Sequence, residues 1–164
     1  MKRFIICLLA ISPLFAQAQK IKSGNLDFLK GEWKLHTEID FSQAQYVGDQ
    51  GYGQAILNSV LESDSSALLK RFYTAVTDEL DNRYFLVGNQ PDAKYKAIMY
   101  VQQVTANGKV YSIFIFSPID SDENLCTMEV IGDGGHFGTF LNLFGDGMKD
   151  AGEIFGKVLR KKSK

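Results

Sequence analysis

The most informative part of the sequence is the stretch YKAIMYVQQVTANGKVYSIFIFS, residues 95–117, in which two apolar segments flank Asn107-Gly108. The Asn-Gly dipeptide tolerates the positive φ angles that a type I′ turn requires, so it favours a tight β-hairpin. The pattern predicts strands over residues 95–105 and 109–117. With a two-residue loop, the predicted cross-strand pairs are Tyr100 with Ile115, Val101 with Phe114 and Met99 with Phe116.

Both faces of this hairpin are apolar. One face is predicted to carry Met99, Val101, Phe114 and Phe116, and the other Ile98, Tyr100, Val104, Tyr111, Ile113 and Ile115. A strand that is apolar on both faces is normally covered on both sides. Helices are the predicted cover of one face. A folded-over sheet, a subunit interface or a ligand could cover the other, and the sequence does not choose between them.

The flanking segments predict the rest of an α+β domain. Period-two alternation indicates strands and a 3.6-residue apolar spacing indicates helices. The predicted strands lie around residues 33–42, 84–88 and 125–131, and the predicted helices near 52–62, 66–81 and 137–160. We therefore expect a mostly antiparallel sheet of about five strands, packed by two or three helices that include a C-terminal amphipathic helix.

The boundaries of these helices have their own signals. Residues 64–66, Asp-Ser-Ser, offer N-cap oxygen atoms to the second helix, and Asp133 offers one to the last. Residues 145–147, Gly-Asp-Gly, lie inside the last helix and could break or kink it.

Residues 1–18 have the pattern of a cleaved signal peptide. Lys2 and Arg3 precede an apolar stretch over residues 4–15, and Ala16-Gln17-Ala18 supplies the small residues that a signal peptidase requires. We expect export to the periplasm or the medium, with residues 19–164 forming one globular domain. Cys7 lacks the small residues that precede a lipidated cysteine, so no lipid anchor is predicted.

The ionic residues are unevenly distributed. The chain carries 18 Lys and Arg against 19 Asp and Glu, yet five of the basic residues lie within residues 157–164. The rest of the chain is therefore acidic, which argues against nucleic acid as a partner. Cations at a helix C-terminus favour its dipole. The alternative is that this basic end binds an anionic membrane surface or an acidic partner.

The residue types that carry catalysis show no convergent pattern. His36 shares one predicted strand face with Glu38 and Asp40, which is typical of a solvated sheet face. Cys126 alternates with apolar residues as a core thiol does, although His136 could in principle act as its base. We predict no enzyme activity, cofactor or metal. The candidate ligand- or partner-binding residues are Ile98, Tyr100, Tyr111, Ile113, Ile115, Lys157, Arg160, Lys161 and Lys162.

Two segments resemble a family of small, uncharacterised secreted proteins of Gram-negative bacteria. They are Asn89-Gln90-Pro91-Asp92-Ala93-Lys94-Tyr95 and Asp150-Ala151-Gly152-Glu153-Ile154-Phe155-Gly156-Lys157. The order of elements is also similar to periplasmic α/β domains of the curli-secretion lipoprotein and of lipoprotein activators of cell-wall synthases. This second resemblance implies a domain that works by binding partners. Together they suggest a non-catalytic envelope protein that binds or assembles with a protein partner.

A rival resemblance comes from Gly31-Glu32-Trp33, which is similar to the Gly-x-Trp opening of lipocalins. It implies an antiparallel β-barrel that carries a small apolar ligand, with Arg160 packed on the tryptophan. Such a barrel needs strands at residues 52–61 and 68–76, where the apolar spacing is helical.

Overall fold

The computed structural model describes residues 18–48, 51–80 and 84–163, which form a six-stranded sheet with two long helices. In chain order the elements are β1 (Gln19–Gly24), a 3₁₀ turn (Asp27–Leu29), β2 (His36–Asp40), β3 (Gln45–Val47), α1 (Tyr52–Leu80), β4 (Tyr95–Thr105), β5 (Val110–Pro118), β6 (Cys126–Gly132) and α2 (Phe140–Lys162). The strand order is β1-β6-β5-β4-β2, and β3 follows β2 along the outer side of β4. In the described ranges, no helix is long and apolar enough to cross a membrane.

This architecture confirms the predicted α+β fold. β1, β6, β5 and β4 pair antiparallel, whereas β2 and β3 run parallel to β4. The sheet has open ends at β1 and β2, so it is not closed into a barrel. Residues 52–61 and 68–76, which a lipocalin-like barrel would need as strands, lie within α1, so that alternative is wrong.

The 95–117 hairpin forms, but its predicted register is wrong. Residues 106–108 make a three-residue loop, in which Gly108 has a φ of 77° and its N–H donates to the Thr105 carbonyl at 2.8 Å. The loop therefore has three residues and ends in a left-handed glycine, whereas a type I′ turn would have two. The observed pairs include Ile98 with Ile115, Met99 with Phe114 and Tyr100 with Ile113.

A second irregularity, between Val101 and Gln103, adds one more residue to β4. The loop and this bulge together shift the register by two residues, so Met99, Val101, Phe114 and Phe116 keep the predicted shared face, and all are buried. Val104 lies beyond the bulge and changes face. It is buried beside Val110 instead of joining Tyr100 on the other side.

The two helices predicted over residues 52–62 and 66–81 are one continuous helix, α1. Residues 64–66 do not begin a new helix. Ser and Asp inside a helix cost only a fraction of a kcal/mol each, too little to break a helix that is packed at both ends. The nearby Ser63 hydroxyl donates to the Ser59 carbonyl at 2.8 Å, within the helix.

α2 begins at Phe140, where Thr139, not Asp133, is the N-cap residue and accepts from the Asn142 N–H. Phe137 lies outside the helix with 93% of its surface exposed, so its predicted place on the apolar stripe is wrong. The helix continues through residues 145–147 without a break. A Cβ at Gly147 would lie 2.1 Å from the Gly108 carbonyl oxygen, so this glycine lets α2 touch the hairpin turn.

The core lies between the two helices and one face of the sheet. Its centre is a set of phenylalanine rings, with Phe114 and Phe155 stacked at 4.4 Å between centroids and Phe72 and Phe116 close by. All four rings are fully buried. The sheet face that packs on the helices is called the helix face below.

Two strand predictions need correction, and two strands were missed. The strand expected around residues 33–42 is confined to β2, and Trp33 precedes it with 53% of its surface exposed. The strand expected at 84–88 is reduced to one bridge between Leu86 and Lys34. β1 and β3 were not predicted, because β1 has only one apolar residue, Ile21, and β3 has only three residues.

Candidate binding face

The side of the sheet opposite the helix face is called the open face here. On β4, β5 and β6 its residues alternate with the buried core residues, and each is half-buried. Its centre consists of Ile98, Tyr100, Tyr111, Ile113, Ile115, Thr127, Glu129 and Ile131. Among the described residues, neither helix packs against this side. A central area of isoleucine and tyrosine side chains, bordered on β6 by Thr127 and Glu129, is therefore left without a cover from the fold.

The structure brings five predicted binding residues together at the centre of this face. Ile98 pairs with Ile115 and Tyr100 with Ile113 across β4 and β5, while Tyr111 pairs with Ile131 across β5 and β6. Cross-strand partners on one face lie about 5 Å apart at Cβ, so these side chains form one continuous surface.

One edge of the open face is acidic. Glu38 and Asp40 of β2 lie beside Ile98 and Tyr100 of β4. Hydrogen bonds from the Ser42 hydroxyl and N–H hold the pKa of Asp40 below its usual value, so this carboxylate stays charged at neutral pH.

His36 lies at the start of the same edge, and two hydrogen bonds fix the orientation of its ring. Its Nδ1 accepts from the Gln90 N–H at 3.1 Å, so the proton of a neutral ring lies on Nε2 and is donated to Glu38 Oε1 at 2.8 Å. His36 therefore orients Glu38 on the sheet edge. In the described part of the chain, no cluster of three or more His, Cys, Asp or Glu residues is placed to hold a metal ion.

The opposite edge of the open face is basic. Lys20 of β1 pairs in register with Glu129 of β6, and Lys22 Nζ lies 2.9 Å from Glu129 Oε2. All six residues of β1 are exposed. Two ammonium groups against one carboxylate leave this edge net positive. The β2 edge is net negative. Lys96 of β4, which pairs with His36, is itself bound by Asp122 at 3.2 Å, so it does not offset Glu38 and Asp40.

The predicted basic residues near the C-terminus form a separate surface. Lys157 Nζ and the Arg160 guanidinium each lie 3.6 Å from a Glu79 carboxylate oxygen, and Lys162 Nζ lies 3.8 Å from Asp27. Lys161 lines a surface groove of about 370 Å³ beside Gln19 and Ile154. These residues belong to α2, on the helix side of the sheet, so the nine candidate residues make two surfaces and not one.

The predicted core role of Cys126 agrees with its position. Its side chain is fully buried between β5 and β1, and burial raises the pKa of its thiol. A buried, protonated thiol is a poor nucleophile. His136 is exposed in the loop before α2.

Sequence reasoning missed the charged edges of the open face. Lys20, Lys22 and Glu129 become neighbours only because β1 pairs with β6, which no local pattern reveals. The only local signal was Ile21 between Lys20 and Lys22, and one apolar residue is too little to identify a strand.

The chain is similar in structure to PelC from Paraburkholderia phytofirmans. A PelC dodecamer that carries one leucine-to-methionine substitution gives a TM-score of 0.47 with 9% identity, covering 86% of this chain and 96% of that one. A PelC dodecamer in another crystal form gives a TM-score of 0.46 with 8% identity and the same coverage. No family model and no curated protein sequence matches the chain. At these values nothing about function or assembly is transferred to this chain.

Proposed function

We propose that this chain is an exported, non-catalytic envelope protein that binds a protein partner through the open face. The observation that carries the proposal is the continuous apolar centre of that face, bordered by an acidic edge at β2 and a basic edge at β1. Apolar centres with charged rims are typical of protein interfaces. Membership of the family of small secreted proteins, suggested by residues 89–95 and 150–157, belongs to the same proposal.

The shape of the open face favours a protein over a small molecule. Small ligands bind in concave sites that enclose most of their surface. The open face is the outer surface of a sheet, with all of its central side chains carried by adjacent strands. Such a surface suits a partner that is itself broad.

Export without a lipid anchor is part of the proposal. Gln19 is the first residue of β1 and the first residue after the predicted cleavage point. Removal of residues 1–18 would therefore leave every described strand complete. Periplasmic and extracellular locations are both compatible with this proposal.

A photocrosslinking experiment in the native host tests the proposal. Benzoylphenylalanine replaces Tyr100 or Tyr111 on the open face, and Tyr52 serves as the matched control. Tyr52 lies on α1 with 74% of its surface exposed, so it reports random collisions. We expect discrete crosslinked protein species from positions 100 and 111 and none from position 52. Equal crosslinking at all three positions, or none, would contradict the proposal.

A carrier of a small apolar ligand is the second candidate. A groove of about 220 Å³ lies between β1 and α2, with Ile21, Leu26, Met128 and Val158 in its wall and Lys161 and Lys162 at its side. An apolar chain with an anionic head would match these groups. Native mass spectrometry of protein purified from its own host would show the added ligand mass for a carrier and the bare chain or a defined complex for a partner-binding protein.

The basic C-terminal end could also attract an anionic membrane surface. Acidic residues already lie within 4 Å of Lys157, Arg160 and Lys162, which reduces the positive field they present. Sedimentation with anionic vesicles, compared with neutral vesicles, distinguishes this binding from binding through the open face.

A further inference from the structure

We propose that the partner on the open face is a second copy of this chain, packed face to face about a two-fold axis parallel to the strands. The inference rests on the proposed function in one respect, the use of the open face. It adds the identity of the partner and the geometry of the complex.

The distribution of charge across the sheet carries the proposal. Glu38 and Asp40 lie on β2 at one end of the strand order, and Lys20 and Lys22 lie on β1 at the other end. The apolar centre separates them. The open face is therefore negative on one side, apolar in the middle and positive on the other side.

This distribution is complementary to itself. A two-fold axis parallel to the strands, midway between two facing sheets, places β1 of one copy over β2 of the other. The lysines of each copy then face the carboxylates of its partner, and symmetry makes this contact twice. The apolar centres meet in the middle, with Ile113 and Ile115 close to the axis.

The other in-plane two-fold axis gives the opposite result. An axis perpendicular to the strands places β1 over β1 and β2 over β2, so ammonium groups meet ammonium groups and carboxylates meet carboxylates. Like charges placed across an interface oppose association. The charge distribution thus favours one arrangement of two face-to-face copies over the other.

The size of the face is adequate for a specific dimer. The face is five strands wide, and a strand spacing of about 4.8 Å makes it roughly 24 Å across. Its length along β5 is roughly 30 Å at about 3.3 Å per residue, so its area is ~700 Å². Standard interfaces bury about 800 Å² from each partner, and the smaller specific ones about 600 Å². Packed sheets with a shared core are separated by about 10 Å, a distance that isoleucine and tyrosine side chains fill.

Charge reversal at the two edges tests the arrangement without disturbing the core. Lys20→Glu changes an exposed residue at one sheet edge, and Asp40→Lys changes a half-buried residue at the other. Sedimentation velocity over a concentration series measures the dimer dissociation constant of the exported chain. We expect the wild type to dimerise, and Lys20→Glu and Asp40→Lys each to weaken the dimer by about tenfold or more. Lys70→Glu, on the exposed side of α1, is the matched control and leaves the constant unchanged.

Mixing the two single variants gives the sharpest result. Lys20, Glu129, Ile113, Tyr100 and Asp40 lie in one cross-strand row. In the proposed arrangement, the carboxylate introduced at position 20 of one chain therefore faces the ammonium introduced at position 40 of the other, and Asp40 of the first chain faces Lys20 of the second. The mixture therefore forms more dimer than either variant alone. The double variant Lys20→Glu/Asp40→Lys restores dimerisation for the same reason.

Several outcomes would overturn the second-copy proposal. These are a monomeric wild type at all concentrations, a dimer that is indifferent to both reversals, or a mixture that dimerises no better than its components. If the chain is monomeric while positions 100 and 111 crosslink to a different protein, the inference fails and the proposed function stands. If neither dimer nor position-specific crosslink forms, both fail.

Discussion

Phe155 is the residue on which the core depends most. Its ring stacks on Phe114 at 4.4 Å and lies 6.0 Å from Phe72, with no exposed surface. Phe155→Ala should lower the free energy of unfolding by about 3–5 kcal/mol, because it removes a fully buried ring and leaves a cavity. Urea unfolding measures this change. Phe137→Ala is the control, since Phe137 is 93% exposed and its loss should change stability by less than about 0.5 kcal/mol. An unchanged urea midpoint for Phe155→Ala would show that the ring is not part of the core.

Tyr73 links the stability of the fold to alkaline pH. Its hydroxyl donates to the Thr37 carbonyl at 2.7 Å, and burial, with a smaller effect of the Glu38 charge, raises its pKa to about 12 from 10.0. Because the folded pKa exceeds the unfolded one, the stabilisation is complete below pH 10 and is lost as the pH rises towards 12.

Tyr73→Phe should therefore have two effects. At neutral pH it should cost about 1 kcal/mol, because the Thr37 carbonyl loses its donor. Above pH 10 the variant should lose less stability than the wild type with each further increase in pH. Urea unfolding across this range is the measurement. Tyr84→Phe, at a tyrosine that is 94% exposed, should follow the wild-type curve. Parallel curves for Tyr73→Phe and the wild type would contradict the assignment.

At the scale of elements, the glycines of α2 serve packing at the expense of helix propensity. Gly147→Ala would gain about 1 kcal/mol of propensity. We nevertheless expect a net loss of stability, because its Cβ would meet the backbone carbonyl of Gly108 at 2.1 Å. Gly145→Ala is the matched comparison, since its Cβ would meet only the flexible side chain of Arg71. The midpoint of thermal unfolding of Gly145→Ala should be well above that of Gly147→Ala. Equal midpoints would show that the contact with the turn is not tight.

The hairpin shows how far local sequence patterns determine an element. The strands over 95–105 and 110–118 follow from their apolar residues. Their register does not, because Asn107-Gly108 also fits a three-residue loop and Gln102 gives no sign of a bulge. A shift of two residues preserves the faces of a strand, so the face of Ile98, Tyr100, Tyr111, Ile113 and Ile115 could still be predicted.

Elements that depend on distant partners were not predictable. The polar middle of α1 resembles a loop in isolation, and packing of its two ends keeps it helical. β1 and β3 are short and mostly exposed, so they lack the apolar alternation that identifies a strand. Their hydrogen bonds to β6 and β4 are what make them strands.

For the whole molecule, the central prediction concerns export. The intact mass of protein recovered from the periplasm or medium should correspond to a chain that begins at Gln19 and carries no lipid. The physical reason is the order of charged, apolar and small residues in positions 1–18. Protein retained inside the cell, with its leader intact, is the matched control for the mass. A mass that includes an acylated Cys7 would contradict the prediction.

The candidate binding face could likewise be predicted from the sequence only in part. Its apolar centre follows from alternation along two neighbouring strands. Its charged edges require the strand order, because β1 and β2 are close in sequence yet lie at opposite sides of the sheet.

The pairing of β1 with β6 also determines when the sheet can be completed during synthesis of the chain. Gln19 lies opposite Val130, so the first strand to leave the ribosome must wait for the last strand before it can form its hydrogen bonds. Contacts between residues so distant in sequence form slowly, because the entropy of closing the long intervening loop must be lost before the contact is gained. Residues 19–24 therefore cannot form their hydrogen bonds to β6 until residues 126–132 have been synthesised. The six-stranded sheet is thus completed by the first and last of its strands in sequence, and no truncated chain that lacks β6 can contain it.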